Sequence, residues 1–459
     1  MRSTVALAFT ILLALPPQPG AATFPRPPDM EHQIRFWRNV FTVYSQDQTV
    51  IHDTVDLDKI YTVLDFRQYA EAGYTAAETE RIRKDVTEGE ILRIRSLLQR
   101  MAEGTPRSAL LPDEQRIYDL FRNDPDPYKF LRATDEKRVR GQRGIRERFM
   151  NGFRTSRLYL PEMESIFRSQ GLPVELTRLP LIESCFNVSA NSKVGAAGVW
   201  QFMPATGRLY MEVNSSVDER RDPIASTRAA AQYLTRSYYR LGNWPLAITS
   251  YNHGANGMSR AIDDTGTDDI AAIVKYYDGP LFGFASRNFY AEFLAVLDIE
   301  KYNESYFGRL PKESLPPTRT VILDRSIDIF TAARLARTQD YILADLNPAL
   351  LDPVVSGRVP IPAGYGLRLP ADGAAGFEDR LGAVATEDRV VREAAPAPSA
   401  RDDNEPESRQ KPHRVKRGQT LSGIAEQYGV SVQALRVANR MSPRDQVRSG
   451  QVLRIPGTS

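Results

Sequence analysis

The chain has 459 residues, room for two to four domains, and its 42% apolar and 25% charged residues are those of an ordinary folded protein. The formal net charge of +3 is unremarkable, so the distribution of charge matters more than its sum. A single cysteine, Cys185, excludes an internal disulfide. The four histidines with it show no metal-ligand spacing, so no metal site and no cofactor are implied.

The N-terminus reads as a secretory signal, residues 1–22: Arg2, then an apolar run from Val5 to Leu15, then Gly20-Ala21-Ala22. The run is too short to span a bilayer, and no later stretch is long enough. Residues 24–157 read as a helical region. Ile34-Arg-Phe-Trp-Arg-Asn-Val-Phe and Ile91-Leu-Arg-Ile-Arg-Ser-Leu-Leu carry apolar residues at helical spacing. Asp56-Leu57-Asp58 and Thr75-Ala-Ala-Glu78 read as helix starts, the second as a capping box. Acids interspersed through the basic stretch from Arg138 to Arg157 indicate a solvated helix face and not a nucleic-acid surface.

A second domain is expected over 158–310. Its centre is Leu179-Pro-Leu-Ile-Glu183, which sets one carboxylate against an apolar run. Scarce water disfavours the ionised form, so the Glu183 pKa is expected to rise, as a general acid requires. Gly195 and Gly198 allow tight turns or close backbone approach. Trp200, Gln201, Phe202 and Met203 then offer a flat apolar surface with one amide, a set suited to a sugar. The competing reading pairs a buried Glu183 with an arginine such as Arg178 ahead of an ordinary glycine turn. These residues alone leave both open. Cys185 reads as a small buried filler, since a nucleophilic thiol would want a basic partner.

From Thr318 the pattern changes. Arg319-Thr-Val-Ile-Leu reads as a strand, Ile329 to Leu343 as helical, and Leu367-Arg-Leu-Pro370 as a strand. The layout recurs at the C-terminus, with Ile329, Leu343 and Asn347 matching Leu421, Leu435 and Asn439. This is an internal repeat of a small βααβ unit, 318–371 and 412–457. The segment between them, 373–411, is rich in Ala, Pro and charge, and reads as a flexible tether.

Three blocks in order carry a family resemblance: Glu183-Ser184; Gly195-Ala-Ala-Gly198-Val-Trp-Gln201-Phe-Met203-Pro-x-Thr206; and Ala247-x-Thr249-Ser-Tyr251-Asn252-x-Gly254. Together they resemble the soluble lytic transglycosylase domain. The resemblance implies a mainly α chain with a lysozyme-like catalytic domain, a helical N-terminal region and small βααβ modules at the C-terminus. It implies Glu183 as the catalytic residue, with Ser184, Gln201, Met203, Tyr251 and Asn252 binding substrate. Many relatives carry a Glu-Thr-Arg-like motif further on. Here the matching place, Ala285-Ser-Arg287-Asn-Phe-Tyr290, lacks the Glu, leaving Arg287 and Tyr290 as candidates for glycan contact. The second βααβ copy resembles a LysM domain through Gly418-Gln-Thr420-Leu421, Asn439 and Gly450-Gln-x-Leu-x-Ile-Pro456. This implies glycan binding through Gly418, Thr420, Leu421 and Asn439. The first copy lacks the Gly-x-Thr-Leu opening and is LysM-like only.

Glycosidases usually need two carboxylates, and here only one is evident. In lytic transglycosylases one Glu carries both proton transfers, cleaving the bond between N-acetylmuramic acid and N-acetylglucosamine and leaving a 1,6-anhydro end. The resemblance implies that reaction on peptidoglycan strands in the periplasm, with the protein exported and wall-associated. No cysteine follows the signal to take a lipid anchor. The excess of Arg and Lys in the C-terminal module would favour retention on the anionic wall; nucleic acid is not expected, since no stacking aromatics accompany the charge. Two other readings are a goose-type lysozyme-like hydrolase of the same bond and a non-catalytic LysM scaffold.

Overall fold

The computed structural model describes residues 23–383 except Lys312, and of the C-terminal module residues 411–415, 419–428, 432, 435, 436, 439, 441, 447 and 451–455. The chain forms two compact units, one of residues 1–187 and 230–312, the other of 188–229 and 313–459. It is mainly helical, as expected. The sequence-predicted signal lies outside the described residues, and among those described no helix is long and apolar enough to cross a membrane.

The first unit begins with helix α1 (Glu31–Thr42) and strands β1 (Gln48–Asp53) and β2 (Ile60–Asp65). Helix α2 (Ala76–Ala102) follows, opened by the Thr75–Glu78 capping box. Strand β3 (Val139–Arg143) completes an antiparallel sheet of order β2-β1-β3, so the N-terminal region is not purely helical. Two helical readings fail here for identifiable reasons. Asp56–Asp58 is the turn between β1 and β2, because the Asp53 carboxylate accepts from the N–H of Val55 (2.7 Å) and Asp56 (2.9 Å) and folds the chain back. Arg138, read as part of a solvated helix face, leads into β3 and binds the fully buried Asp53 at 2.7 Å. Ile51, Tyr61, Ile94, Leu98, Ile117 and Phe121 form the core of this region.

Helix α3 (Arg146–Ser169) runs straight through the boundary expected at 157/158. Pro161 lies inside it. Helix α4 (Leu179–Glu183) follows. The chain then passes into the other unit and returns within α5 (Pro223–Leu241). It continues through α6 (Trp244–His253) to α7 (Phe284–Lys301).

The N-terminal region holds α7 by long-range polar bonds. The Trp37 indole N–H donates to the Asn288 carbonyl oxygen (3.0 Å), and the Tyr290 hydroxyl donates to the Pro25 carbonyl (2.7 Å). Arg26 bridges Glu31 and Asp298. Tyr290 is fully buried, and Arg287 gives its guanidinium to the carbonyls of Val274 and Tyr277. Neither is a free glycan contact; both hold the helix in place.

In the second unit β4 (Thr318–Ile322) and β5 (Gly366–Pro370) pair antiparallel, with α8 (Ile329–Leu335) and α9 (Asp340–Leu346) between them. This is the expected βααβ order. The first copy is fused to the segment 188–229: Val217 sits in its core, and the Asp218 N–H donates to Ala349 O at 2.8 Å. The tether was expected from Gly373, yet the chain remains ordered to Ala383. Phe377 and Leu381 are apolar enough to join the same core. Residues 384–410 lie outside the described residues.

The C-terminal copy pairs β6 (Lys411–Arg414) with β7 (Val452–Ile455) beside α10 (Leu421–Tyr428), around Leu421, Ile424, Leu435 and Leu453. The two copies share one device. The Asn347 side-chain amide donates to Leu343 O and Arg368 O and accepts from Arg368 N, each at 2.8 Å. Asn439 does the same with Leu435 O (2.7 Å), Arg454 O (2.7 Å) and Arg454 N (2.6 Å).

The Trp37–Asn288 bond is buried at both ends, so Asn288→Ala strands an indole N–H and is expected to cost about 1–3 kcal/mol. Urea unfolding with an unchanged m-value checks it.

Candidate active site

Glu183 ends α4, a single turn started by Pro180 and anchored by the buried Leu179, Pro180 and Leu181. The chain then turns sharply. The N–H groups of Ser184 and Phe186 both donate to the Pro180 carbonyl (3.1 and 2.9 Å), and Cys185 and Phe186 each sit at φ 50°. Left-handed non-glycine residues cost roughly 1–3 kcal/mol each, so neighbouring structure must hold this turn. Gly152 on α3 does part of that. A Cβ there would stand 1.9 Å from the Cys185 carbonyl oxygen, so only glycine lets α3 come so close.

Three half-buried groups of the first unit share one electrostatic environment: Glu183 on α4, Tyr251 on α6 and Glu292 on α7, with α7 packed on both other helices. Burial alone pushes the Glu183 carboxyl up to about 8. Burial, reinforced by the charge of Glu183, also pushes Glu292 up to about 8. The Tyr251 phenol rises well above its usual value through burial, then through the charges of Glu183 and Tyr233. Its ring stands edge-on to Tyr233 at 5.2 Å, and the Tyr233 hydroxyl donates to Ser250 O (3.1 Å). Neither carboxylate has an ion pair among the described residues. Arg178, the alternative partner, lies instead against Glu164 (2.6 Å) and Glu300 (2.9 Å). The Cys185 thiol is buried and pushed up to about 11, so it stays protonated and serves as packing.

Glu292 escaped the sequence reading, though a signal for it existed. It stands between Phe289-Tyr290-Ala291 and Phe293-Leu294, an acid within an apolar helix, the same pattern that marked Glu183.

The other expected residues divide. Ser184 is buried, its hydroxyl donating to Pro180 O (3.1 Å) and accepting from Asn187 N (3.2 Å), which closes the turn behind Glu183. Asn252 is exposed at the end of α6 and accepts from the Ser286 hydroxyl of α7 (2.7 Å). Gln201 and Met203 belong to the second unit. There the flat apolar face expected of residues 200–203 is absent: Trp200 and Phe202 turn inward, at 0% and 3% exposure. Met203 stays exposed at 42%, while the Gln201 amide donates to Gly198 O (2.7 Å).

Arg220 braces this loop from below. It binds Asp218 through two nitrogens (2.8 and 2.7 Å) and donates to the carbonyls of Gly195 (2.8 Å) and Phe202 (2.9 Å). Gly198 passes so close that a Cβ would meet the Arg220 carbonyl oxygen at 1.7 Å. Asp222 caps α5 through the N–H of Ile224 and Ala225 and pairs with Arg368 at 3.1 Å. Asp218 and Asp222 are therefore structural.

In the C-terminal module Thr420 accepts from Gly423 N (3.2 Å) at the start of α10, Leu421 is in the core, and Asn439 braces β7. Each has a structural task, and Gly418 lies outside the described residues. No cluster of His, Cys, Asp and Glu able to hold a metal ion occurs among the described residues.

Residues 164–274 match the transglycosylase SLT domain family, and residues 413–456 match the LysM domain family. More particularly, the chain is similar to the membrane-bound lytic murein transglycosylase D of Escherichia coli, 28% identical over 295 residues, 63% of this chain. It thus spans 61% of that relative's length. It is also 38% identical over 108 residues to a putative tributyltin chloride resistance protein of an Alteromonas species, covering 23% of this chain and 52% of that one. A crystal structure of an inactive mutant of the lytic transglycosylase Slt of Pseudomonas aeruginosa is 20% identical and covers 55% of this chain and 39% of that one. Its TM-score is 0.29, too low to bear on the arrangement.

Two acids in one electrostatic environment titrate as a pair. Carbon-13 NMR of labelled glutamate carboxyls is expected to show two steps at or above about 8 for the native chain. In Glu292→Gln a single step near 8 should remain. Both groups hold a proton in the fold at pH values where the unfolded chain has lost it. Stability therefore falls as pH rises from about 4.5 to about 8, and Glu183→Gln should flatten that slope.

Proposed function

We propose that this chain is a lytic transglycosylase that cleaves the β-1,4 bond between N-acetylmuramic acid and N-acetylglucosamine in peptidoglycan and leaves 1,6-anhydromuramyl ends. One observation carries the reading: a carboxyl group, Glu183, that keeps its proton at neutral pH through burial alone. In this reading protonated Glu183 gives its hydrogen to the glycosidic oxygen. The 2-acetamido carbonyl of the muramyl sugar stabilises positive charge at C1. The Glu183 carboxylate then takes the proton of the sugar's C6 hydroxyl as that oxygen attacks C1. Atoms balance without water. Met203 and Gln201 would line the subsites, and Tyr251 would hold Glu183 or the acetamido group in place.

The second carboxyl favours this route over hydrolysis. An inverting enzyme needs a carboxylate base for water, and a retaining one needs a carboxylate nucleophile. Glu292, its carboxyl pushed up by burial and then by the charge of Glu183, is poorly suited to either task. A protonated neighbour does ease the transient negative charge on Glu183. Activity of the SLT domain on murein, retention through the LysM domain and a periplasmic, wall-associated location form one consistent account. The Escherichia coli relative is named as a membrane-bound murein enzyme. The peptidoglycan strand is the substrate and partner; no cofactor is invoked.

Digestion of purified sacculi followed by mass spectrometry tests this. Products one water lighter than reducing-end muropeptides are expected. Reducing ends would make the protein a goose-type hydrolase, and no release would leave a LysM scaffold. Glu183→Gln should lower turnover by roughly 10²–10⁴-fold, the usual worth of general acid–base catalysis, while wall binding persists. The native rate should fall as pH rises through about 8, since the acid must hold its proton.

A further inference from the structure

On helix α5, Gln232, Thr235, Arg236 and Tyr239 stand at i, i+3, i+4 and i+7, the spacing of one helix face. All are exposed except Thr235, which is half-buried. Gln170, at the end of α3, faces them across a hollow of about 470 Å³ lined by these five residues. All five lie in the first unit and within the span that matches the SLT domain family, and none belongs to the Glu183 chemistry. The Tyr239 ring is 51% exposed yet supported from behind. Tyr238 meets it edge-on, 6.2 Å between ring centres, and itself stacks on Trp244 at 4.4 Å. Beside the ring stand two carboxamides, Gln170 and Gln232, and one guanidinium, Arg236. None of these three side chains has a hydrogen bond or ion pair among the described residues. The Thr235 hydroxyl donates to the Ala231 carbonyl (2.8 Å), which leaves it able only to accept. Arg240, next along the helix, is bound to Ser259 and Asn256 and takes no part.

An aromatic face takes the apolar C–H face of a sugar ring. Amides that both donate and accept suit its hydroxyl groups and the C=O and N–H of an acetamido substituent. Arg236 is the only charge among the five residues, so the hollow has no acid to hold the amine of a peptide. One cation is also too few for a nucleic acid, whose backbone binds through several. We propose that this hollow binds an N-acetylated sugar of a glycan strand, in a contact separate from Glu183. The sugar ring lies on Tyr239, its acetamido group bonds Gln170 and Gln232, and its hydroxyls accept from Arg236 and donate to Thr235. That the strand is peptidoglycan rests on the activity proposed above; the chemistry of the hollow does not.

Fluorine NMR of the full chain labelled with fluorotyrosine reads this hollow locally, the Tyr239 signal being assigned by its loss in Tyr239→Phe. Titration with an N-acetylglucosamine tetramer is expected to shift that signal. Cellotetraose, which has the same linkage without acetamido groups, should bind roughly fivefold more weakly, the worth of about one hydrogen bond. Gln232→Ala, a change at an exposed helical position, should weaken the N-acetylated sugar by a similar factor. Glu183→Gln should leave the titration unchanged. An unmoved Tyr239 signal, equal affinity for cellotetraose, equal affinity in Gln232→Ala, or a shift produced only by the free-acid tetrapeptide Ala-Glu-Lys-Ala overturns the proposal. The two readings fail separately: a shifted Tyr239 signal without sacculus digestion sinks the enzyme and keeps the hollow, and digestion with an unmoved signal does the reverse.

Discussion

Shielding a carboxyl group from most water without giving it a cation is the constraint on which the first unit depends. A buried acid with a salt-bridge partner ionises, and one left in water does too. Glu183 avoids both because Arg178, the nearest basic residue in sequence, is drawn away by Glu164 and Glu300. The turn that follows puts two consecutive non-glycine residues in the left-handed region. Such a turn persists only where packing over-determines it, and the close approach of Gly152 to Cys185 is one of the contacts responsible.

The same constraint explains the attachment of the N-terminal region. Glu292 reaches Glu183 because α7 is held at a set position, and the holding bonds come from Trp37, Pro25 and Arg26. Residues far apart in the chain therefore act on one proton equilibrium. Arg287 and Tyr290, which sequence placed near a glycan, belong to this support.

The second unit is organised around buried arginine. Arg220 donates to two loop carbonyls beside the glycine turn, those of Gly195 and Phe202, and Asp218 neutralises it. The LysM-like copy continues this bracing through Arg368 and Asp222. Both βααβ copies keep the asparagine that ties the end of a helix to the last strand. One copy thus supports the SLT loop segment, while the other matches the LysM family.

Motifs that depend on local chemistry were legible in the chain. The capping box at Thr75, the glycine turns, the apolar run before Glu183 and the repeated βααβ pattern each follow from neighbours within a few residues. What escaped depends on partners distant in sequence. Arg138 resembles part of a solvated helix face until the buried Asp53, 85 residues away in the chain, binds it. The polar face of Asn439 reads as a binding residue until Arg454 claims its amide. Sequence by itself determined the residue types, the order of the blocks and the rise of the Glu183 pKa, because hydropathy and backbone preference act locally. Tertiary structure alone decided that Glu292 stands within electrostatic reach of Glu183 and that Trp200 turns inward. Burial and Coulomb interactions depend on distance in space, which spacing along the chain does not encode.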